Sequence, residues 1–248
     1  MTDSPAPSAS ATTPTTPVPR TGTWQWQQKL RWFTAEIVIV VAGVLIALAI
    51  NAWWQGRQDH ALETRTLREL RDALANDLND IRFNAGLHER AGASARRLRE
   101  HLRAHQPYAK ALDVDFGGIL VSTYSVRDEI AYETLKQRGL GSITHDALRH
   151  AIGHLYGVRY PSIMPFQDQA WDFVNTHQIP FYSAHFKDIR FAESATPLDY
   201  DALLDSTEFA ALLDWRVGMD VFQAQQLRKL DAEVTSLIAL IDDELAQR

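Results

Sequence analysis

His150 and His154 stand four residues apart on a segment of helical periodicity, so both imidazoles can face one metal ion. His145 is close by and Asp146 offers a carboxylate, a donor set suited to a metal-dependent hydrolase. The spacing discriminates weakly. There is no His-Glu-x-x-His pattern, nine histidines produce one such pair by chance, and His101 and His105 repeat it. Exposed or core histidines are the ordinary outcome. Gly139-x-Gly141-Ser142 invites a phosphate-loop reading, but a Walker loop also needs a Gly-Lys-Ser/Thr ending and a dinucleotide fold needs a third glycine after a strand. A helix stop followed by a turn explains these residues. Ser142 and His145 are neighbours without the nucleophile elbow that acyl transfer requires.

Two further groups remain. Tyr132, Glu133 and Lys136, with Tyr156 and Trp171, are candidates to line a small-ligand pocket; a packed tyrosine beside an i,i+3 Glu–Lys pair accounts for the first three equally well. Arg90, Arg96, Arg97, Arg99 and Arg103 form a basic run interleaved with Glu89 and Glu100. It reads first as a solvated face and second as a contact for anionic headgroups or an acidic partner. The chain has no cysteine, which excludes disulfides, Cys-ligated zinc, iron–sulfur clusters and thiol catalysis. No pattern calls for a cofactor. Net charge is −6, with 25 basic against 31 acidic residues, so no general basic surface exists for nucleic acid.

The elements that carry these residues follow from composition. Of 248 residues 46% are hydrophobic, too many for a disordered protein and enough for one medium domain or two small ones. Residues 1–23 are the exception: Pro, Ser, Thr and Ala fill 18 of the 23 positions, so a disordered tail is expected there. Residues 24–56 read as an interfacial segment and a membrane span. From Ile37 to Gly56 the chain carries no charge for 20 residues. At ~1.5 Å each they reach ~30 Å, the thickness of a bilayer's hydrocarbon core. Ten of the fourteen residues from Ile37 to Ile50 are Ile, Val or Leu. At about −0.3 to −0.6 kcal/mol each these favour insertion by roughly 3–6 kcal/mol. Trp24, Trp26 and Trp32 precede the run and Trp53 and Trp54 follow it, as an indole belt at each headgroup zone would. A cleaved signal peptide would use Ala47-x-Ala49, but the 36 residues before the run are long for its n-region. Arg20, Lys29 and Arg31 before the span match Arg57, Arg65 and Arg68 after it in number. The first three are almost unopposed, so the N-terminus is expected in the cytoplasm and the body outside it. Glu36, Gly43, Ala47 and Asn51 fall within roughly 80° of one another on the helix, a candidate interface for another span. The alternative is that Glu36 and Asn51 simply meet water at the two membrane surfaces.

Residues 57–248 read as an α-helical extramembrane domain. Leu67, Leu70, Leu74, Leu78, Ile81 and Ala85 form one apolar stripe, and Leu87, Ala91, Ala95, Leu98 and Leu102 continue it towards Pro107. The small residues Ala85, Gly86, Ala91, Gly92 and Ala93 mark a bend or a close crossing. Ile119–Tyr124 is β-prone and reads as a strand or a helix turn. Helices are expected over 127–138 with Gly139 as stop, over 144–156 capped by Thr144, and over 166–177 after Pro161 and Pro165; 178–197 reads as irregular and aromatic. From Ser206 one long helix runs to the end. Its heptad Leu213, Val217, Ala224, Leu227, Val234, Ile238, Ile241 and Leu245 is apolar in eight of ten slots, with Asp220 and Asp231 the exceptions. Such a seam must pack on another helix, either the long helix after the span or a second copy. The expected fold is therefore mainly α: one N-terminal transmembrane helix, then a helical bundle with two long helices.

The run Glu36-Ile-Val-Ile-Val-Val-Ala-Gly-Val-Leu-Ile-Ala-Leu-Ala-Ile-Asn-Ala-Trp53 resembles the anchor of a family of uncharacterised single-span bacterial inner-membrane proteins, a domain of unknown function. An acidic residue enters the span, a Gly-Val-Leu-Ile-Ala core follows, and Asn-x-Trp closes it. Ala131-Tyr132-Glu133-Thr134-Leu135-Lys136 with Gly139 is similar to a second element of that family. The resemblance covers about a tenth of the chain. It implies an inner-membrane location and a helical extramembrane domain, and it implies no reaction. The leading expectation is a non-enzymatic interaction or assembly module, bound to the bilayer and to a protein partner or a second copy. A sensory or small-ligand-binding ectodomain is the alternative, and a metal-dependent hydrolase on His150 and His154 the third.

Overall fold

The computed structural model describes residues 24–248; the tail expected over 1–23 lies outside the described residues, as does Arg20. The fold is mainly α. The described chain divides into two units, one ending at Arg57 and the other comprising Gln58–Arg248.

In the first unit the chain is helical from Trp24, the start of α1 (Trp24–Arg103). Every residue from Ile37 to Gly56 is exposed. An 18-residue window of this helix has a mean hydropathy of 2.7 and none of it is buried, so one helix among the described residues is long and apolar enough to cross a membrane. The Arg57 guanidinium sits over the Trp53 ring at 5.2 Å, a cation–π contact at the polar end of the apolar run.

The second unit is built on the rest of α1 and on α8 (Thr207–Ala246), which run antiparallel. Pairs between them step down one helix as they step up the other, Arg71–Asp242, Arg82–Asp231, Glu89–Arg228 and Arg99–Asp214, and Glu63 meets Arg248 just past the end of α8. The partner of the α8 seam is thus the long helix after the apolar run. The stripe of α1 from Leu67 to Ala85 is buried as its spacing requires. Beyond it the buried line passes through His88 rather than Leu87, which is half-buried. The helix is unbroken at the small residues. Gly92 is instead a close crossing, where a Cβ would lie 3.2 Å from that of Asp220. The helix ends at Arg103 because His105 takes a left-handed φ of 47°. Its N–H bonds Leu102 and that of Gln106 bonds His101, which satisfies the last carbonyls before Pro107.

Between the long helices lie α2 (Asp113–Gly118), α3 (Ile130–Arg138), α4 (Asp146–His154), α5 (Tyr160–Phe173), α6 (Ile179–His185), a hairpin of β1 (Phe186–Arg190) with β2 (Ser194–Pro197), and α7 (Tyr200–Leu204). Several expectations need correction. Residues 120–129 form neither strand nor helix, because their backbone is held by side chains instead of a neighbouring strand. Asp77 accepts from the Asp128 N–H and Asp80 from the Val126 N–H, each at 2.8 Å, and Arg216 donates to the Val121 carbonyl at 3.1 Å. Thr144 does not cap α4; its N–H and hydroxyl bind Glu63, and His145 Nδ1 caps by accepting from the Leu148 N–H at 3.1 Å. Pro161 and Pro165 do not break the chain before 166. Single π turns at Leu155–Arg159 and Val174–Gln178 widen the helix just before Pro161 and Pro180, so each proline enters at the start of the next helix, where its missing N–H is no loss. The stretch expected to be irregular forms α6 and the hairpin, whose fit against α2 depends on Gly117: a Cβ there would fall 2.1 Å from the Ser194 nitrogen.

Two hydrophobic cores result. One gathers Leu67–Ala85 of α1, α4, the start of α5 and Leu227–Ile241 of α8. The other gathers Ala95–Leu102, Phe116, α6, the hairpin and Phe209–Leu213.

Candidate functional site

Between the cores, polar side chains fill the positions a heptad would assign to leucine. The line of α8 that is buried is Phe209, Leu213, Arg216, Asp220, Gln223, Leu227, Leu230, Val234, Leu237 and Ile241, spaced four and three alternately. It lies one residue around the helix from the expected seam, whose Val217, Asp231, Ile238 and Leu245 are half-buried. Arg216 and Asp220 are fully buried, and His88 of α1 is 2% exposed. Asp220 accepts from Arg216 Nη2 at 2.9 Å and lies 2.9 Å from His88 Nδ1. Arg216 Nη1 donates to the Val121 carbonyl at 3.1 Å, while its Nε has no partner. Asp220 Oδ2 is also 2.9 Å from Arg216 Nη2, but off the hydrogen-bonding direction and otherwise unsatisfied. A guanidinium keeps its charge at any working pH, so Asp220 is its carboxylate counter-ion. A carboxylate only accepts, which assigns the proton to His88 Nδ1 and leaves Nε2 to face elsewhere. Gln223 completes the layer: its Nε2 donates to the Phe166 carbonyl at 2.6 Å, and its buried Oε1 has no partner.

This polar layer reaches a depression on each side. On one side Gln223 lines a groove between α5 and α8 that continues past Trp215 and Met219. Its two halves have volumes of about 370 and 470 Å³. Its apolar lining includes four aromatic rings beside Ala211, Leu212 and Met219. Phe173 and Trp215 stack at 5.8 Å and Phe166 meets Phe222 edge-on at 4.8 Å. Trp215 remains 57% exposed. Asp172 and Glu208 stand at the edge and make it acidic, while Asp214 beside them is paired with Arg99. On the other side His88 lines a cleft of about 370 Å³ between α1 and α8.

The residues singled out in the sequence distribute as follows. His150 and His154 are both exposed on α4. His145 is spent on its cap and Asp146 pairs with Arg149, and among the described residues no three His, Asp or Glu side chains converge on one point. Gly139, with φ of 91°, ends α3, and Ser142 donates back to the Gly139 carbonyl at 2.9 Å, so serine and His145 form no dyad. Tyr132 stacks on Tyr156 at 4.1 Å, and Glu133 pairs with Lys136 at 3.0 Å. Trp171 is not among them; its ring packs on Tyr124. The Tyr156 hydroxyl is buried without a partner, and burial first, then the charge of Asp77, holds its pKa well above that of an ordinary phenol. In the basic run Arg97 ties down Asp115 and Arg99 ties down Asp214. Glu36, Gly43, Ala47 and Asn51 are exposed on α1, and a Cβ on Gly43 would meet nothing within 4 Å.

Sequence reasoning missed His88, Arg216 and Gln223. The signal was present in Asp220, one of two charged residues in an apolar heptad, and in His88, which keeps step with the α1 stripe where Leu87 does not. Compared with known protein families, characterised proteins and solved structures, the chain matches none.

Proposed function

We propose that this chain is a single-pass protein of the bacterial inner membrane, N-terminus cytoplasmic and helical domain extracytoplasmic. In this reading the domain is a non-enzymatic interaction module that docks a basic, amphipathic helix. The observation that carries it is the groove between α5 and α8. Soluble surfaces rarely leave aromatic side chains such as Trp215, Phe166 and Phe222 side by side, and where they do a binding site is the usual reason. The acidic edge of Asp172 and Glu208 selects a partner with positive charge. Gln223, whose Oε1 is buried without a partner, lies at the floor. The apolar, fully exposed stretch of α1 and the resemblance of Glu36–Trp53 to an inner-membrane anchor support the placement.

A photo-crosslinking residue at Met219, used in native membranes, tests the module. A discrete adduct is expected, weakened severalfold by Glu208→Lys and lost with Phe222→Ser. An adduct at twice 28.0 kDa makes the occupant a second copy of the chain. No adduct, or one indifferent to both substitutions, ends the reading.

A further inference from the structure

We infer that the cleft over His88, on the opposite side of the polar layer from the groove, binds a phosphate-type oxyanion carried on a small apolar body. The inference does not depend on the docking role of the groove. His88 is 2% exposed yet lines the cleft. Its Nδ1 is committed to Asp220, and Nε2 makes no hydrogen bond among the described residues. An imidazole whose ring is buried but whose free nitrogen opens on a cavity is a donor or acceptor held ready for something that enters.

The charges around it choose the ligand. Glu89 and Arg228 neutralise each other through two hydrogen bonds at 2.9 and 3.0 Å. Arg96 and Lys229 also line the cleft and form no ion pair among the described residues. The cleft therefore carries a positive surplus on a chain whose net charge is −6. Behind His88 lie Asp220 and, beyond it, Arg216. Once an anion arrives, Asp220 supports the imidazolium, so Nε2 takes a proton from solvent and donates it in a hydrogen bond to the ligand. Arg96, Lys229 and His88 then offer three charged donors, the number a phosphate's free oxygens accept. Apart from Gln225, the rest of the lining, Gly92, Val221 and Ala224, is small and apolar. The volume of about 370 Å³ exceeds what a bare ion fills and lies in the range of small-molecule sites, hence the apolar body. A soluble phosphate ester and an anionic lipid headgroup share this chemistry.

The test uses the full chain, labelled with 15N-histidine, in discs of zwitterionic lipid. Inorganic phosphate is titrated against chloride at equal ionic strength. The Nε2 signal of His88, identified by its loss in His88→Gln, is expected to move saturably towards the protonated shift with phosphate and not with chloride. The paired variant Arg96→Glu/Lys229→Glu changes only exposed side chains and is expected to weaken the response about tenfold or more. Discs containing phosphatidylglycerol and no added phosphate separate the sources: the same shift there identifies a headgroup, and its absence a soluble ester. A His88 signal that responds in neither arm, or that responds undiminished in the paired variant, overturns the site.

Discussion

Asp220 compensates two groups at once, and that makes it the residue whose loss is felt most. Removing its carboxylate leaves the Arg216 guanidinium buried at 0% exposure with no counter-ion. Breaking a buried pair from one side costs about 3–5 kcal/mol, whereas replacing all members by apolar groups of similar volume is often neutral or stabilising. Asp220→Ala is therefore expected to lower stability by about 3–5 kcal/mol, and the triple variant His88→Leu/Arg216→Met/Asp220→Leu by far less or not at all. Thermal unfolding of the detergent-solubilised chain, followed by tryptophan fluorescence, compares them. Equal destabilisation by both would mean that the layer supports the fold rather than a site. Gly92 acts on the same residues through space. A methyl placed 3.2 Å from the Asp220 Cβ must push α8 away, and such overpacking costs about 1–3 kcal/mol.

The two long helices are joined by charges as well as by their seam, and this gives the pairing a pH dependence. Arg82 hydrogen-bonds Asp231 and holds its carboxyl below the ordinary value of 3.8, against a smaller opposing effect of burial. Arg228 does the same for Glu89, below 4.5. A carboxylate depressed in the folded state adds stability that is fully present above its unfolded pKa and is lost as pH falls through the folded one. Stability is thus expected to decline below about pH 4.5, and Arg82→Gln/Arg228→Gln to flatten that decline while lowering the plateau above it. Acid titration of the unfolding midpoint checks the sign; a steeper acid arm in the double variant would refute it. At α2 the constraint is steric. Gly117→Ala brings a Cβ to 2.1 Å from backbone that cannot yield, so the hairpin and the core around Phe116 are expected to lose protection from hydrogen exchange. Most elements were legible because their signals are local: the 3.6-residue stripe of α1, the Ser206 cap at 3.1 Å from the Phe209 N–H, the Gly139 stop. The π turns, the hairpin and the route of 120–129 were not, because each is decided by a partner distant in sequence. The same holds for the site. Asp220 stood out as a flaw in a heptad, but nothing local tells that α1 meets it with His88, or that Gln223 opens on a groove.

At the scale of the whole chain, the two units differ in what they bury. Both hydrophobic cores draw only on residues from Leu67 onward. The first unit buries none of its apolar window and contributes to neither core. Gln58–Arg248 is therefore expected to be soluble on its own, with an unfolding free energy within about 0.5 kcal/mol of the intact protein, as for changes remote from a core. The first unit's fate is a balance of small transfer terms. Ile, Val and Leu between Ile37 and Ile50 favour insertion by roughly 3–6 kcal/mol, and one arginine at mid-span opposes it by about 2.5–3.5 kcal/mol. Val44→Arg alone should leave the chain largely in the bilayer, while Val40→Arg/Val44→Arg should cancel the preference and release it. Alkaline carbonate extraction of membranes reads both variants directly. If the intact protein already comes off at high pH, or if the double arginine variant stays behind, the exposed apolar helix has another use, and the cover it needs must be protein rather than lipid.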